Sequence, residues 1–176
     1  MPDGTPPGSS DIRLETARLT LRPWRVADAT FHRELWLERD PRVPPHRRVD
    51  ADGRPTVTDL EESIRAAGPR WAGLLVVERK GEGSALGYCG LIDSGLGPQE
   101  PELAYEFLRR FWGQGYATEA SQAVVEWARS RGHVRLWAHV WDWNTGSRRV
   151  LSKLGFTEST RDEAIYGTNL LTTKPL

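Results

Sequence analysis

The chain has 176 residues, 38% hydrophobic and 27% charged, which suits one soluble globular domain whose core needs no metal or disulfide staple. Its 24 Lys and Arg are balanced by 24 Asp and Glu, which excludes a global basic field recruiting nucleic acid or an anionic membrane. A single cysteine, Cys89, excludes an internal disulfide, and no apolar run approaches the ~20 residues that span a bilayer, so a cytoplasmic protein is expected.

Residues Met1–Ser10 (MPDGTPPGSS) hold no secretory pattern and nothing to bury, and are expected to be a disordered lead-in to a single domain over residues 11–176. Arg13–Arg22 alternates Leu19 and Leu21 with polar residues and predicts a first strand. Asp28 is placed to N-cap a helix carrying Phe31, Leu35 and Trp36. Pro41–Pro55, with four prolines and four arginines, predicts a loop, and a short helix follows near Leu60–Ala67. Two strands, Trp71–Glu78 and Ala85–Ile92, are joined by a Lys80–Ser84 turn. The Ser94–Pro101 loop leads to another strand, Glu102–Leu108.

The second half changes character. Tyr116–Arg131 spaces Ala117, Ala120, Val124, Trp127 and Ala128 as one helical face, with Gly132 positioned to stop it. Val134–Val140 predicts a strand, and Asn144 caps a short helix ending at Leu154–Gly155. Phe156–Arg161 and Tyr166–Thr172 predict a final hairpin. The elements together predict an α+β domain, antiparallel at first, with a strand–helix–strand unit late in the chain.

The segment Leu108–Ala120 (LRRFWGQGYATEA) carries the sharpest signal. A strand ends, Gly113 and Gly115 flank Gln114, and a helix starts at once, so consecutive amides and the positive end of a helix can share one concavity suited to a pyrophosphate. A plain tight turn fits the two glycines equally well. The segment is not a P-loop, which would end Gly-Lys-Ser/Thr, and it lacks the third glycine of a dinucleotide fingerprint.

Arg110-Phe-Trp-Gly113-Gln-Gly115 resembles the Arg/Gln-x-x-Gly-x-Gly/Ala motif of the GNAT superfamily of N-acetyltransferases. The longer WGQGYATEA is similar to the branch containing ribosomal-protein N-terminal-alanine acetyltransferases. A second block, Asn144 to Phe156, agrees at the expected distance, as do ETARLTLRPW and ELAYEFL, so the likeness covers roughly Arg13 to Phe156. The resemblance implies a mostly antiparallel central sheet splayed in the middle, with helices on both faces. It implies acetyl-CoA as co-substrate, and acetyl transfer to a primary amine of a protein N-terminus or small molecule. It further implies that the pyrophosphate would rest on backbone amides around Arg109, Arg110, Gly113, Gln114, Gly115, Tyr116 and Ala117. Phe107 and Leu108 would pair with the pantetheine arm as an added strand, and Asn144 would bond it from the other side.

Alternation puts Glu102 and Glu106 on one face of their strand, beside the implied gap. Either could accept the amine proton or hold a water, and a pair of solvated carboxylates is the competing reading. Ser147 precedes Val150, Leu151 and Leu154 by three, four and seven, on the inward face of its helix. The resemblance implies a role for Ser147 at the departing sulfur, because the tyrosine many relatives carry seven residues after the Asn is Leu151 here. A first-turn serine bonding backbone is the alternative. His32, His46, His133 and His139 lack ligand spacing, so no metal is expected. Cys89 is expected to be buried and inert. Trp137, Trp141 and Trp143 could line an acceptor pocket or pack the core, and Asp93, Glu100 and Glu102 favour a cationic acceptor. The second function class is a non-catalytic acyl-CoA-binding or regulatory domain of the same fold. A nucleotide-dependent phosphotransferase fails for want of a P-loop lysine or paired metal carboxylates. No nucleic-acid or membrane partner is expected, and a homodimer is left open.

Overall fold

A computed structural model describes residues 12–67 and 73–176. The Met1–Ser10 lead-in and Trp71, expected to open a strand, lie outside the described residues. The alternating segment Arg13–Arg22 forms two short antiparallel strands, β1 (Leu14–Glu15) and β2 (Leu19–Arg22), rather than one. Thr16 makes the break: its amide donates to the Leu19 carbonyl (3.0 Å) and its hydroxyl accepts the Leu19 N–H (2.9 Å). A hydroxyl competing for nearby backbone groups leaves no mark in an apolar alternation.

Helix α1 (Ala29–Glu38) follows Asp28, but the Asp28 side chain does not cap it. Its carboxylate instead receives both terminal nitrogens of Arg22 (2.8 and 2.9 Å) and the Arg25 N–H (2.6 Å). A charge-assisted fork to a buried arginine outcompetes a single neutral cap bond. The Pro41–Pro55 connection contains one short 3-10 turn, Pro45–Arg47, before α2 (Val57–Ala67).

Strands β3 (Leu74–Arg79), β4 (Ala85–Ile92) and β5 (Glu102–Phe107) continue the antiparallel run. Helix α3 (Tyr116–Ser130) then crosses to β6 (Arg135–Trp141), which lies parallel to β5. After α4 (Thr145–Lys153), strands β7 (Thr157–Ala164) and β8 (Gly167–Pro175) complete an eight-stranded sheet of order β1-β2-β3-β4-β5-β6-β8-β7. The mixed, mostly antiparallel sheet expected from the sequence is therefore the observed one.

Alternation along the strands divides the core. Leu75, Val77, Cys89, Leu91 and Leu103 pack with Ala120, Val124, Val125 and Ala128 of α3. Each of the three fully buried valines Val77, Val124 and Val125 contributes about 1.5–3 kcal/mol by leaving water. Tyr88 points the other way and packs with Leu35 of α1, beside a cluster of Ala29, Leu60 and Ile64. Both α3 and α4 stop at the expected glycines. Gly132 and Gly155 have φ of +81° each, and the following amides of His133 and Phe156 return to Ala128 and Leu151 carbonyls (3.2 and 3.0 Å).

Candidate functional site

The turn between β5 and α3 forms a cradle. After a 3-10 turn at Arg109–Phe111, Gly113 (φ +74°) and Gly115 (φ +82°) take the left-handed conformation that side chains resist. Glu119 is the first residue whose amide reaches back along α3, to the Gly115 carbonyl at 3.0 Å. The amides of Tyr116, Ala117 and Thr118 therefore have no acceptor within the helix. Among the described residues, a Cβ on Gly113 would meet nothing within 4 Å, and one on Gly115 would meet only Arg18 Nη2, at 3.4 Å. Free donors, a helix N-terminus and open space fit an anion. Gln114 closes the turn by donating from Nε2 to the Arg110 carbonyl (3.0 Å), and its own carbonyl accepts from Arg18 (3.1 Å).

The Arg109 amide and the Arg110 side chain are engaged elsewhere. The Arg109 N–H donates to the Glu38 carboxylate at 2.7 Å, so that amide is not available to a phosphate as expected. The Arg110 side chain pairs with Glu34.

Beside this cradle the sheet opens. β5 and β6 are paired only at Glu102 and Trp137, where the Trp137 N–H donates to the Pro101 carbonyl (3.0 Å). The Leu108 amide donates to the Leu86 carbonyl at 2.9 Å, so Leu108 faces β4 and has no donor for a ligand arm. By strand alternation the main-chain groups of Tyr105 and Phe107 face the opening instead. The Phe107 carbonyl is already bonded by the Trp112 indole (2.7 Å), which leaves its amide.

The two glutamates have different surroundings. Glu106 accepts from Arg39 (2.8 and 2.7 Å) and from the Tyr88 hydroxyl (2.8 Å). Burial, the largest single influence, would raise its pKa, but the hydrogen bonds and charge of Arg39, the Tyr88 hydroxyl and the charge of Arg47 together outweigh it and hold the carboxyl below its ordinary value. Glu102 bridges to the other strand: Oε1 accepts the His139 N–H (3.3 Å) and Oε2 lies 2.9 Å from His139 Nδ1. That hydrogen bond raises the His139 pKa despite partial burial.

Across the opening, Asn144 caps α4 by accepting the Ser147 N–H on Oδ1 (3.1 Å). The Ser147 carbonyl accepts the Tyr105 hydroxyl (3.2 Å), tying α4 to β5. Burial pushes the Tyr105 phenol up, so it stays protonated.

A family model of the acetyltransferase (GNAT) domain matches residues 18–157, most of the chain. The chain belongs to the GNAT family. YkkB of Bacillus subtilis is 32% identical over 150 residues, covering 84% of this chain and 86% of that protein. Among solved structures, a Bacillus anthracis GNAT-family acetyltransferase superposes with a TM-score of 0.79 at 20% identity, covering 93% of this chain and 98% of the other. RimJ of Mycobacterium smegmatis, solved with CoA-disulfide, gives 0.70 at 23% identity, over 89% and 81%. The two structures establish the fold, and the family is that of acetyl-CoA-dependent acetyltransferases.

On this GNAT domain the remaining expected residues separate. Trp141 and Trp143 stack with centroids 6.2 Å apart, and Trp143 borders an open groove of about 550 Å³ with Arg42, Arg48, Asp142, Ile165 and Tyr166. Trp137 is half-buried and donates to Glu100 (2.9 Å). The acidic stretch is satisfied internally: Asp93 accepts the Gly95 amide, Glu100 the Trp137 indole, and Glu102 the His139 groups. The loop arginines are also engaged, Arg42 with Asp40 and over the Trp143 ring, Arg48 with the Pro41 carbonyl, and Arg54 with Asp59. Cys89 is buried, 3.5 Å from the Ser121 hydroxyl, and burial pushes its thiol up to about 12. Among the described residues no group of three or more His, Cys, Asp or Glu could hold a metal, and no helix is long and apolar enough to cross a membrane.

The sequence reading missed Arg39, Tyr105 and His139. Each acts through a partner 42 to 67 residues away, or 37 for His139, so no local spacing marks it.

Proposed function

We propose that this chain binds acetyl-CoA and transfers the acetyl group to a primary amine, on a protein N-terminus or a small molecule. The observation that carries the reading is the coincidence of two features. The Gly113–Gly115 cradle with its free amides adjoins a sheet that opens between β5 and β6.

The amides of Gly113, Gln114, Gly115, Tyr116 and Ala117 would hold the pyrophosphate, with the α3 dipole behind them. The Phe107 amide would pair with the pantetheine arm from the β5 side and Asn144 would face it from α4. Bound acetyl-CoA supplies an activated acyl carbon and a thiolate leaving group. Glu102, free of any arginine clamp, supports the amine side, and Ser147 orients the sulfur. Glu106 is better suited to holding Arg39 and Tyr88 than to taking a proton. The groove at Trp143 and Tyr166 would admit the acceptor. A cytoplasmic location agrees with the free, buried Cys89.

The experiment is titration calorimetry with acetyl-CoA, then a panel of amines and N-terminal peptides assayed by thiol release. Binding with competition by free CoA, and turnover with at least one amine, is expected. Folded protein that takes up no heat at millimolar acetyl-CoA would sink the reading. Binding with no turnover on any amine would leave an acyl-CoA-binding domain.

A further inference from the structure

The β5–β6 ladder ends in an unusual exchange. In a parallel ladder that continued past Glu102 and Trp137, the His139 N–H would donate to the next carbonyl of β5, that of Leu103. It donates instead to Glu102 Oε1, and the other oxygen of the same carboxylate meets the His139 ring at Nδ1. One side chain thus replaces a rung of the ladder at the point where the strands part.

We infer that His139 is the base that takes the proton from the acceptor amine, and that Glu102 is the positioning residue behind it. This rests on the acetyltransferase reading above and names the group that serves it.

Three observations support the assignment. A carboxylate on Nδ1 fixes the neutral tautomer with hydrogen on Nδ1, which leaves the lone pair on Nε2. The ring is the accessible member of the pair, its side chain 46% exposed against 15% for Glu102, so an incoming amine meets imidazole before carboxylate. The alternative carboxylate, Glu106, is held by Arg39 and Tyr88 in a form with low proton affinity. The charged groups acting on His139 are Glu102 from β5 and Asp162 from β7, and both favour the protonated ring. Its partner across β8 is the uncharged Leu171, and its own strand offers Trp137 and Trp141 on the same face.

In the step, the amine nitrogen attacks the thioester carbonyl carbon of acetyl-CoA. The C–N bond forms, the C–S bond breaks, and the thiolate leaves with the C–S electron pair. The proton lost by nitrogen goes to His139 Nε2 and then to solvent, and the thiolate takes a proton from solvent. An amide and free CoA result, with no oxidant or further reactant.

The test is the pH dependence of kcat/KM for wild type, Glu102→Gln, His139→Gln and His139→Ala, using an amine from the panel. The base must be neutral, so wild-type kcat/KM falls as pH drops through the raised His139 pKa. Glu102→Gln removes the partner that raises it, so the acidic limb moves to lower pH. His139→Gln loses that limb and about 10²-fold or more of the rate, and added imidazole restores part of it in His139→Ala. Unchanged acetyl-CoA affinity in all variants shows that the fold is kept. NMR titration of the ring in wild type and Glu102→Gln reads the coupling without any acceptor. A wild type that fails to bind acetyl-CoA overturns the acetyltransferase reading and this inference together. Normal binding and turnover with an unchanged acidic limb in His139→Gln, or a ring that titrates alike with and without Glu102, overturns this inference alone.

Discussion

Arg39 grips Glu106 with two parallel bonds, Nε to Oε1 at 2.8 Å and Nη2 to Oε2 at 2.7 Å. The fork joins the residue just past α1 to the far end of β5, and the Arg39 guanidinium also lies 3.9 Å over the Trp36 ring. Planar pairing and stacking both suit arginine and neither suits lysine. A carboxylate held this way positions a helix against a sheet.

Glu106→Gln should therefore act on stability first. It leaves a mostly buried guanidinium short of its counter-charge, at a cost of about 3 kcal/mol, read as a lower midpoint in urea with an unchanged slope. The pH dependence follows in sign. The Glu106 carboxyl is held below its ordinary 4.5, so its contribution is complete above that pH and is lost as pH falls through the folded-state value. The stability gap between wild type and variant should narrow in acid. A gap that stays constant from neutral pH to well below 4.5 would show that charge pairing is not its source.

Gly115→Val should weaken acetyl-CoA binding at least about tenfold, equivalent to 1.4 kcal/mol. Its φ of +82° strains any branched side chain, and relief of that strain would turn the neighbouring amides out of the cradle. Among the described residues the new Cβ would meet Arg18 Nη2, the end of a flexible chain, so stability should fall by no more than about the 1–2 kcal/mol of a left-handed residue. Calorimetry beside thermal melts separates the two. Equal affinity in both proteins would place the phosphate site elsewhere.

Cys89 should resist thiol reagents until the protein unfolds. Its sulfur is fully buried, and a thiol pushed up to about 12 has almost no thiolate at neutral pH. Labelling by a thiol-reactive dye should track the urea unfolding curve. Rapid labelling of native protein would contradict this.

Local chemistry explains which of these features could be read from the chain. The Asn144 cap, the Gly132 and Gly155 stops and the Gly113–Gly115 cradle are each written within about a dozen residues, and the structure builds each from those residues. Alternation likewise placed Glu102 and Glu106 on one face. It could not say that one would meet Arg39 and the other His139, because those partners come from separate elements and their choice depends on sheet order. Asp28 and Thr16 mislead for a related reason. Both are strong local hydrogen bonders, and tertiary partners or a turn redirect them. Leu108 fails on parity alone, since one residue along a strand reverses the edge its amide serves.

Ser147→Ala should slow turnover only modestly, and much less than His139→Gln. The two bonds that fix this residue in α4 are both made by its backbone, the amide to Asn144 and the carbonyl to Tyr105, and alanine keeps them. Folding stability should therefore change by no more than about 0.5 kcal/mol. The chemical contribution is small for a different reason. A thiol has an ordinary pKa near 8.5, so the departing thiolate needs little help, whereas an attacking amine must shed a proton from a strongly basic nitrogen. The general acid–base contribution of about 10²–10⁴ should then fall on the amine side, where His139 stands with Glu102 behind it. Comparing kcat for the two variants at saturating acetyl-CoA decides it. If Ser147→Ala abolishes turnover while His139→Gln keeps a near-normal rate, protonation of the leaving group is the harder transfer, and the weight given to the two sides must be exchanged.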